Sequence, residues 1–199
     1  MTSTDTIPDV RSQRPKRADA RRNYDKLIAA ARTAFTEEGG SASLEEIARR
    51  ADVGIGTLYR NFPSRQDLLE AVYVEEVEAV CQTAADLMGE PPWEGLVAWL
   101  HRFLAYMATK QALAAELFDH LGRDSELFRG CRTAFYAAGD ALLVPAQAAG
   151  VVRTDVTIDD VVMLVAGISK VPATSADQTT RILDIALEGL RARTPDADR

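Results

Sequence analysis

Apolar positions recur along most of this chain at the spacing of an α-helix. Tyr24, Leu27, Ile28, Ala31 and Phe35 stand at i, i+3, i+4, i+7 and i+11, which gathers them on one helical face, and Gly39 and Gly40 mark the end of that helix. Leu44, Ile47, Ala48 and Ala51 repeat the pattern in a second helix. Ser43 and Glu46 read as the capping box that starts it, and Glu45 with Arg49 and Glu46 with Arg50 are i,i+4 pairs in the favourable order on its wet face. The turn "DVG" leads to a short third helix from Gly54 or Ile55 to Asn61. Ser64 and Asp67 open a fourth, which runs through Leu68, Val72, Val77 and Val80 to about Met88, where "GEPP" stops it. Further helices are expected over 93–108, 110–121, 125–149, 157–171 and 178–192. The one β-like run, "GVVRTDVTI" at 150–158, ends at Thr157, which with Asp160 has the spacing of a cap for the helix that follows. No 20–50-residue repeat is visible. The pattern predicts an all-α fold.

The second and third helices carry a more specific signal. A helix ending near Ala51, a tight turn and a helix over 55–61 have the spacing of a helix-turn-helix, whose second helix enters the major groove of DNA. Winding residues 54–62 at about 100° per residue sets Ile55, Leu58, Tyr59 and Phe62 within one arc and Gly56, Thr57 and Arg60 on the other side. One face packs; the other can touch DNA. Gly54 and Gly56 lack side chains where a backbone would otherwise be held away from phosphates, which accounts for two poor helix formers in so short a helix.

Composition changes this picture mainly through charge. The 199 residues are 47% hydrophobic and 27% charged, the balance of a globular chain that can bury one large core or two modest ones. A net charge of −7 argues on its face against a nucleic-acid partner. Its distribution argues the reverse: residues 1–65 hold 12 Lys and Arg against 9 Asp and Glu, net +3, and the rest hold 11 against 21, net −10. A basic end on an acidic body suits a protein of which one end approaches a polyanion, although a basic tail that merely dangles would look the same. Residues 1–20 lack periodicity and are expected to form a flexible basic arm, and Lys16, Arg17, Arg21 and Arg22 would either enter a minor groove or stay in solvent. No window approaches 18 apolar residues and the first 22 residues lack a signal peptide's apolar region, so a cytoplasmic protein without a membrane partner is expected. Cys81 and Cys131 each sit in apolar helical context and read as ordinary buried thiols.

The stretch "SLEEIARRADVGIGTLYRNFPSRQDLL" at 43–69, preceded by "LIAAARTAFTEEG", resembles the DNA-binding domain of the tetracycline-repressor-type (TetR/AcrR) transcriptional regulators over residues 24–72 or so. The resemblance implies an N-terminal three-helix DNA-binding domain, here 21–65, joined to a helical-bundle ligand-binding and dimerisation domain, here 66–194. Carried over by position, Ser43, Thr57, Tyr59 and Arg65 would contact phosphates, while Ile55, Gly56, Arg60 and Asn61 would face base edges. The implied partners are double-stranded operator DNA, a second copy of the chain and an unknown small-molecule effector; no cofactor is expected. Asp52 departs from the family, which most often has glycine in the interhelical turn, but Asp tolerates a left-handed backbone.

Blander readings stand beside these. Ile55 would serve equally as core, Arg60 as a solvated surface residue, and Tyr59 as a buried phenol with a local partner. Beyond residue 88, eight of the 13 aromatics, Trp93, Trp99, Phe103, Tyr106, Phe118, Phe128, Phe135 and Tyr136, lie before residue 140. Each is an ordinary core filler, yet together they would suit an apolar pocket, for which Trp99, Phe103, Tyr106, Phe118, His120 and Tyr136 are the candidates. His101, Asp119 and His120 lack the spacing of a metal site. The last two helices are apolar over more of their circumference than one buried face requires, which suggests that Val161, Leu164, Val165, Ile168, Ile182, Leu183, Ala186 and Leu190 form a four-helix dimer interface. An enzyme is not expected: G-x-S-x-G, Walker A and a strand-led G-x-G-x-x-G are missing from the sequence. The expected protein is a homodimeric, ligand-responsive DNA-binding regulator, most simply a repressor, with a constitutive regulator that senses nothing as the alternative.

Overall fold

The structure, a computed structural model, describes residues 14–15, 17–122, 125–172 and 175–192. Most of the expected arm, Lys16 included, and the last two positions of the expected body lie outside the described residues. The helices are α1 (Ala18–Glu38), followed by a 3-10 turn (Gly39–Ser41), α2 (Leu44–Arg50), α3 (Ile55–Asn61), α4 (Arg65–Leu87), α5 (Pro92–Leu121), α6 (Glu126–Ala148), α7 (Ile158–Ile168) and α8 (Ala176–Glu188). Among the described residues there is no strand, only an isolated antiparallel bridge from Val152, in the β-like stretch, to Arg191.

Two expectations change. The helices expected over 93–108 and 110–121 are one, because the Ala, Thr, Lys and Gln at their junction include no Gly or Pro to break a helix, and Met107, Leu113 and Leu117 continue the buried stripe. Helix α1 starts at Ala18, so Arg21 and Arg22 are exposed helical residues rather than part of an arm.

The chain forms two compact units. The first comprises residues up to Glu78 together with Ala108–Ala134, and the second comprises Ala79–Met107 and Phe135 onward. In the first unit, Tyr24, Leu27, Ile28, Ala31 and Phe35 of α1 are buried as the periodicity requires, alongside Ile47, Leu58, Phe62 and Leu68. The rings of Tyr24 and Phe62 lie 5.2 Å apart. Burial pushes the Tyr24 phenol up to about 12. Glu76 of α4, 3% exposed, is paired with Arg32 of α1, which offsets the cost of burying its charge.

Caps start these helices where sequence placed them, with one rearrangement. Ser43 Oγ accepts from Glu46 N at 3.1 Å, but the Glu46 carboxylate does not return to the cap; it accepts from Arg49 (2.7 and 2.8 Å) and Arg50 (2.8 Å). Arg49 therefore pairs with Glu46 rather than Glu45, and Arg50 also reaches Glu37 and Glu38 of α1 at 2.7 and 2.6 Å. At the start of α4 the box is reciprocal: Ser64 N and Oγ donate to Asp67 Oδ2 at 2.8 and 2.6 Å, and Asp67 N donates back to Ser64 Oγ at 3.2 Å. Thr157 and Asp160 make the same box on α7.

In the second unit Trp99 is fully buried, with its Nε1 donating to the Val80 carbonyl at 3.1 Å. Gly139 of α6 faces it: a Cβ there would stand 2.8 Å from the Trp99 ring and 2.5 Å from Ile158 Cδ1, so α6 reaches these side chains only because position 139 has none.

Candidate nucleic-acid interface

Helix α3 is fixed from one side and open on the other. Gly54 is its N-cap, accepting from Thr57 N at 2.8 Å and Leu58 N at 3.2 Å. Leu58 and Phe62 are fully buried and anchor the helix, while Ile55 and Tyr59 remain 39% and 44% exposed. The apolar arc expected from the helical wheel is thus split, because Leu58 and Phe62 fill the contact with the rest of the unit and leave Ile55 and Tyr59 on the flank nearer Gly56 and Arg60. Ile55 is surface rather than core. A Cβ at Gly54 or Gly56 would meet nothing within 4 Å, so internal packing does not require either glycine.

The turn before α3 has the geometry its sequence allows. Asp52 has φ +52°, and among the described non-glycine residues it alone has a positive φ. Its carboxylate is almost fully exposed and lies 3.9 Å from Lys26 Nζ, a basic neighbour on α1 that sequence spacing could not reveal.

The polar candidates fall into two groups. Ser43, Tyr59 and Arg60 are exposed. Arg60 Nη2 donates to Thr57 Oγ1 at 2.7 Å, which holds both on one face of α3. Asn61 is half-buried, with Nδ2 donating to the Thr57 carbonyl at 2.7 Å, so its amide closes the helix end. Arg65 differs most from the expectation of a phosphate contact. Its guanidinium donates to Glu116 at 2.7 and 3.3 Å and to the carbonyls of Ala42 and Gly39, and it lies 4.9 Å from the Phe35 ring centroid. It holds the turn after α1 rather than facing outward.

The six pocket candidates divide between the two units. Trp99, Phe103 and Tyr106 are buried against Phe135 in the second unit, with ring centroids 4.6 to 6.4 Å from it, and they fill one another's space. Tyr136 donates its hydroxyl to Asp159 at 2.8 Å in the same unit. Phe118 packs on Phe128 at 4.7 Å in the first unit, where His120 is exposed. No group of three or more His, Cys, Asp and Glu among the described residues could hold a metal ion; His101 lies 2.9 Å from Asp184 instead.

The dimer candidates also divide. Val161, Val165, Ile168, Leu183 and Leu190 are buried within the protomer, Leu164 is exposed, and Ile182 and Ala186 are half-buried. Periodicity alone did not separate inner from outer apolar positions: the most exposed apolar side chains here are Met163 at 67% and Ile185 at 76%.

Comparison with known proteins decides the family. The pattern of bacterial regulatory proteins of the tetR family matches residues 27–72, and that of the C-terminal domain of SbtR-like transcriptional regulators matches residues 91–192, half of the chain. The chain belongs to the TetR family. This TetR-family protein is 41% identical to a TetR transcriptional regulator from Streptomyces coelicolor, over 85% of this chain and 99% of that one, with a TM-score of 0.76. It is 32% identical to a TetR regulatory protein from Mycobacterium vanbaalenii, over 89% and 99%, with a TM-score of 0.71. The HTH-type transcriptional repressor KstR of Rhodococcus jostii is 34% identical over 79 residues, 39% of this chain and 37% of that repressor, so little more than a third of the repressor's length is matched. The TetR family and these relatives are transcriptional regulators, not enzymes. No helix among the described residues of this TetR-family chain is long and apolar enough to cross a membrane.

Proposed function

We propose that this TetR-family regulator is a homodimeric, sequence-specific DNA-binding repressor that a small apolar or amphipathic molecule releases from its operator. The observation that carries the reading is the outward face of α3, where Ile55, Tyr59 and Arg60 are exposed on a helix anchored by buried Leu58 and Phe62. A helix held this way keeps its reading side chains in a fixed register, as major-groove recognition requires. The net +3 of residues 1–65 supplies attraction to the duplex where it is needed. Two copies related by a two-fold axis would place their α3 helices about 34–36 Å apart, so the operator is a near-palindrome. The apolar side chains of Met163, Leu164 and Ile185 support α7 and α8 as the dimer contact.

Release by ligand calls for a change in α4, which leads directly from α3 and runs unbroken from Arg65 to Leu87. A ligand that favours a different tilt of α4 changes the separation of the two α3 helices and weakens operator binding. By linkage the operator then weakens ligand binding by the same factor, typically about 5–150-fold. Selection of duplexes from a randomised pool followed by footprinting tests the reading; recovery of a protected near-palindrome is expected, and a chain that binds no duplex overturns it. A screen of apolar metabolites and drugs by thermal shift, then Trp93 and Trp99 fluorescence titration with and without operator, tests the coupling. The mutual contacts of Trp99, Phe103, Tyr106 and Phe135, as in an ordinary core, support a second reading, a constitutive regulator.

A further inference from the structure

We propose that Ile55 reads the 5-methyl group of a thymine in each operator half-site, with Tyr59 one turn later walling the same spot. This rests on the DNA-binding reading above and adds a base identity to it. Ile55 is the first residue of α3 and is 39% exposed, although Leu58 and Phe62 of the same segment are fully buried. Gly54 and Gly56 flank it without side chains of their own, and a Cβ at either would meet nothing within 4 Å apart from the adjoining residues, so the backbone on both sides of Ile55 is open to an approaching surface.

The chemistry of the side chain selects what it touches. An isoleucine has neither donor nor acceptor, and of the groups on base edges in the major groove the thymine methyl is the apolar one. The polar side chains of α3 are meanwhile tied to one another: Arg60 to the Thr57 hydroxyl, and Asn61 to the Thr57 carbonyl, each at 2.7 Å. Charge selects DNA over a second copy as the occupant. Residues 1–65 carry a net +3, and Arg60 of α3 itself is exposed. Two copies meeting through this net positive segment would set like charge against like, whereas a duplex neutralises it.

The test uses the full chain and duplexes selected from a randomised pool. Each thymine of the selected site is replaced singly by deoxyuridine, which removes only the methyl group. At one position in each half-site the wild type is expected to lose affinity about four-fold, the factor for burying one carbon. Ile55→Ala is expected to bind the parent duplex more weakly and to bind thymine and deoxyuridine equally at that position, while Ile55→Val keeps part of the preference and Arg60→Ala keeps all of it. Because Ile55 is exposed, the thermal unfolding of Ile55→Ala is expected to match wild type. Undiminished discrimination by Ile55→Ala, or no methyl-sensitive thymine in the selected site, overturns the proposal and leaves DNA binding intact. A changed sedimentation coefficient for Ile55→Ala would make the face a contact between copies and overturn it too. Failure to select any duplex overturns the DNA-binding reading itself and this proposal with it.

Discussion

Arg65 Nε lies 2.7 Å from Glu116 Oε1, which joins the first residue of α4 to the later half of α5 within the first compact unit. The same guanidinium reaches the carbonyls of Ala42 and Gly39. Charge-assisted bonds at a half-buried site outweigh an exposed ion pair, so Arg65→Ala is expected to cost about 1–2 kcal/mol in urea denaturation. The salt dependence of DNA binding should be unchanged. A salt slope lower by about one with wild-type stability would return Arg65 to the phosphate contacts.

Gly139 permits an approach that no other residue allows. A methyl group there would collide with Ile158 and Trp99, both in the packed interior, so Gly139→Ala is expected to destabilise by about 1–3 kcal/mol. Combining it with Ile158→Val should recover part of the loss in thermal unfolding. Full stability of the single variant would show that α6 shifts freely.

At Asp52 the left-handed backbone sets the ranking of substitutions. Asp52→Gly is expected to stay within about 0.5 kcal/mol of wild type or to exceed it, whereas Asp52→Val, branched at Cβ, should lose about 1–2 kcal/mol. Chemical denaturation of both variants checks the order.

The Glu46 carboxyl is held down to about 2, first by hydrogen bonds from Arg49 and then by those from Arg50. A folded-state value below the ordinary 4.5 makes the pairing stabilising above about pH 4.5, and that contribution is lost as pH falls towards about 2. Glu46→Gln should therefore show its full deficit near neutrality and none at the acid end. A deficit that does not vary with pH would mean that the glutamine breaks something other than the ion pairs.

If α7 and α8 form the proposed dimer contact, Ile185 and Leu183 separate dimerisation from folding. Ile185 is 76% exposed and Leu183 fully buried, so Ile185→Asp should yield folded monomers in sedimentation and Leu183→Asp should unfold the protomer by burying an unpaired carboxylate. A dimer that survives Ile185→Asp together with Met163→Asp would remove this face from the interface.

Much of the fold was legible in the chain because its signals are local. Helical periodicity, the caps at Ser64 and Thr157, and the turn chemistry of Asp52 each involve residues within a few positions of one another, and the structure has all of them. The candidate interface was legible only in part: the rotation between successive residues sets Gly56 and Arg60 apart from Leu58 and Phe62, but it did not separate Ile55 and Tyr59 from the packed arc or show that Arg65 turns inward.

Sequence alone determined the all-α class, the helix-turn-helix and which segments would be amphipathic, since these depend on neighbours along the chain. The tertiary structure decided what depends on which faces meet: that Leu58 and Phe62 rather than Ile55 and Tyr59 anchor α3, and that Arg65 turns inward to Glu116, 51 positions away. It also decided that Leu183 is core while Ile185 is surface, and that Trp99 and Phe118 belong to different units. Periodicity marks an apolar stripe but not where along its width a neighbour will lie, and a charge finds its partner only when packing brings two distant helices together.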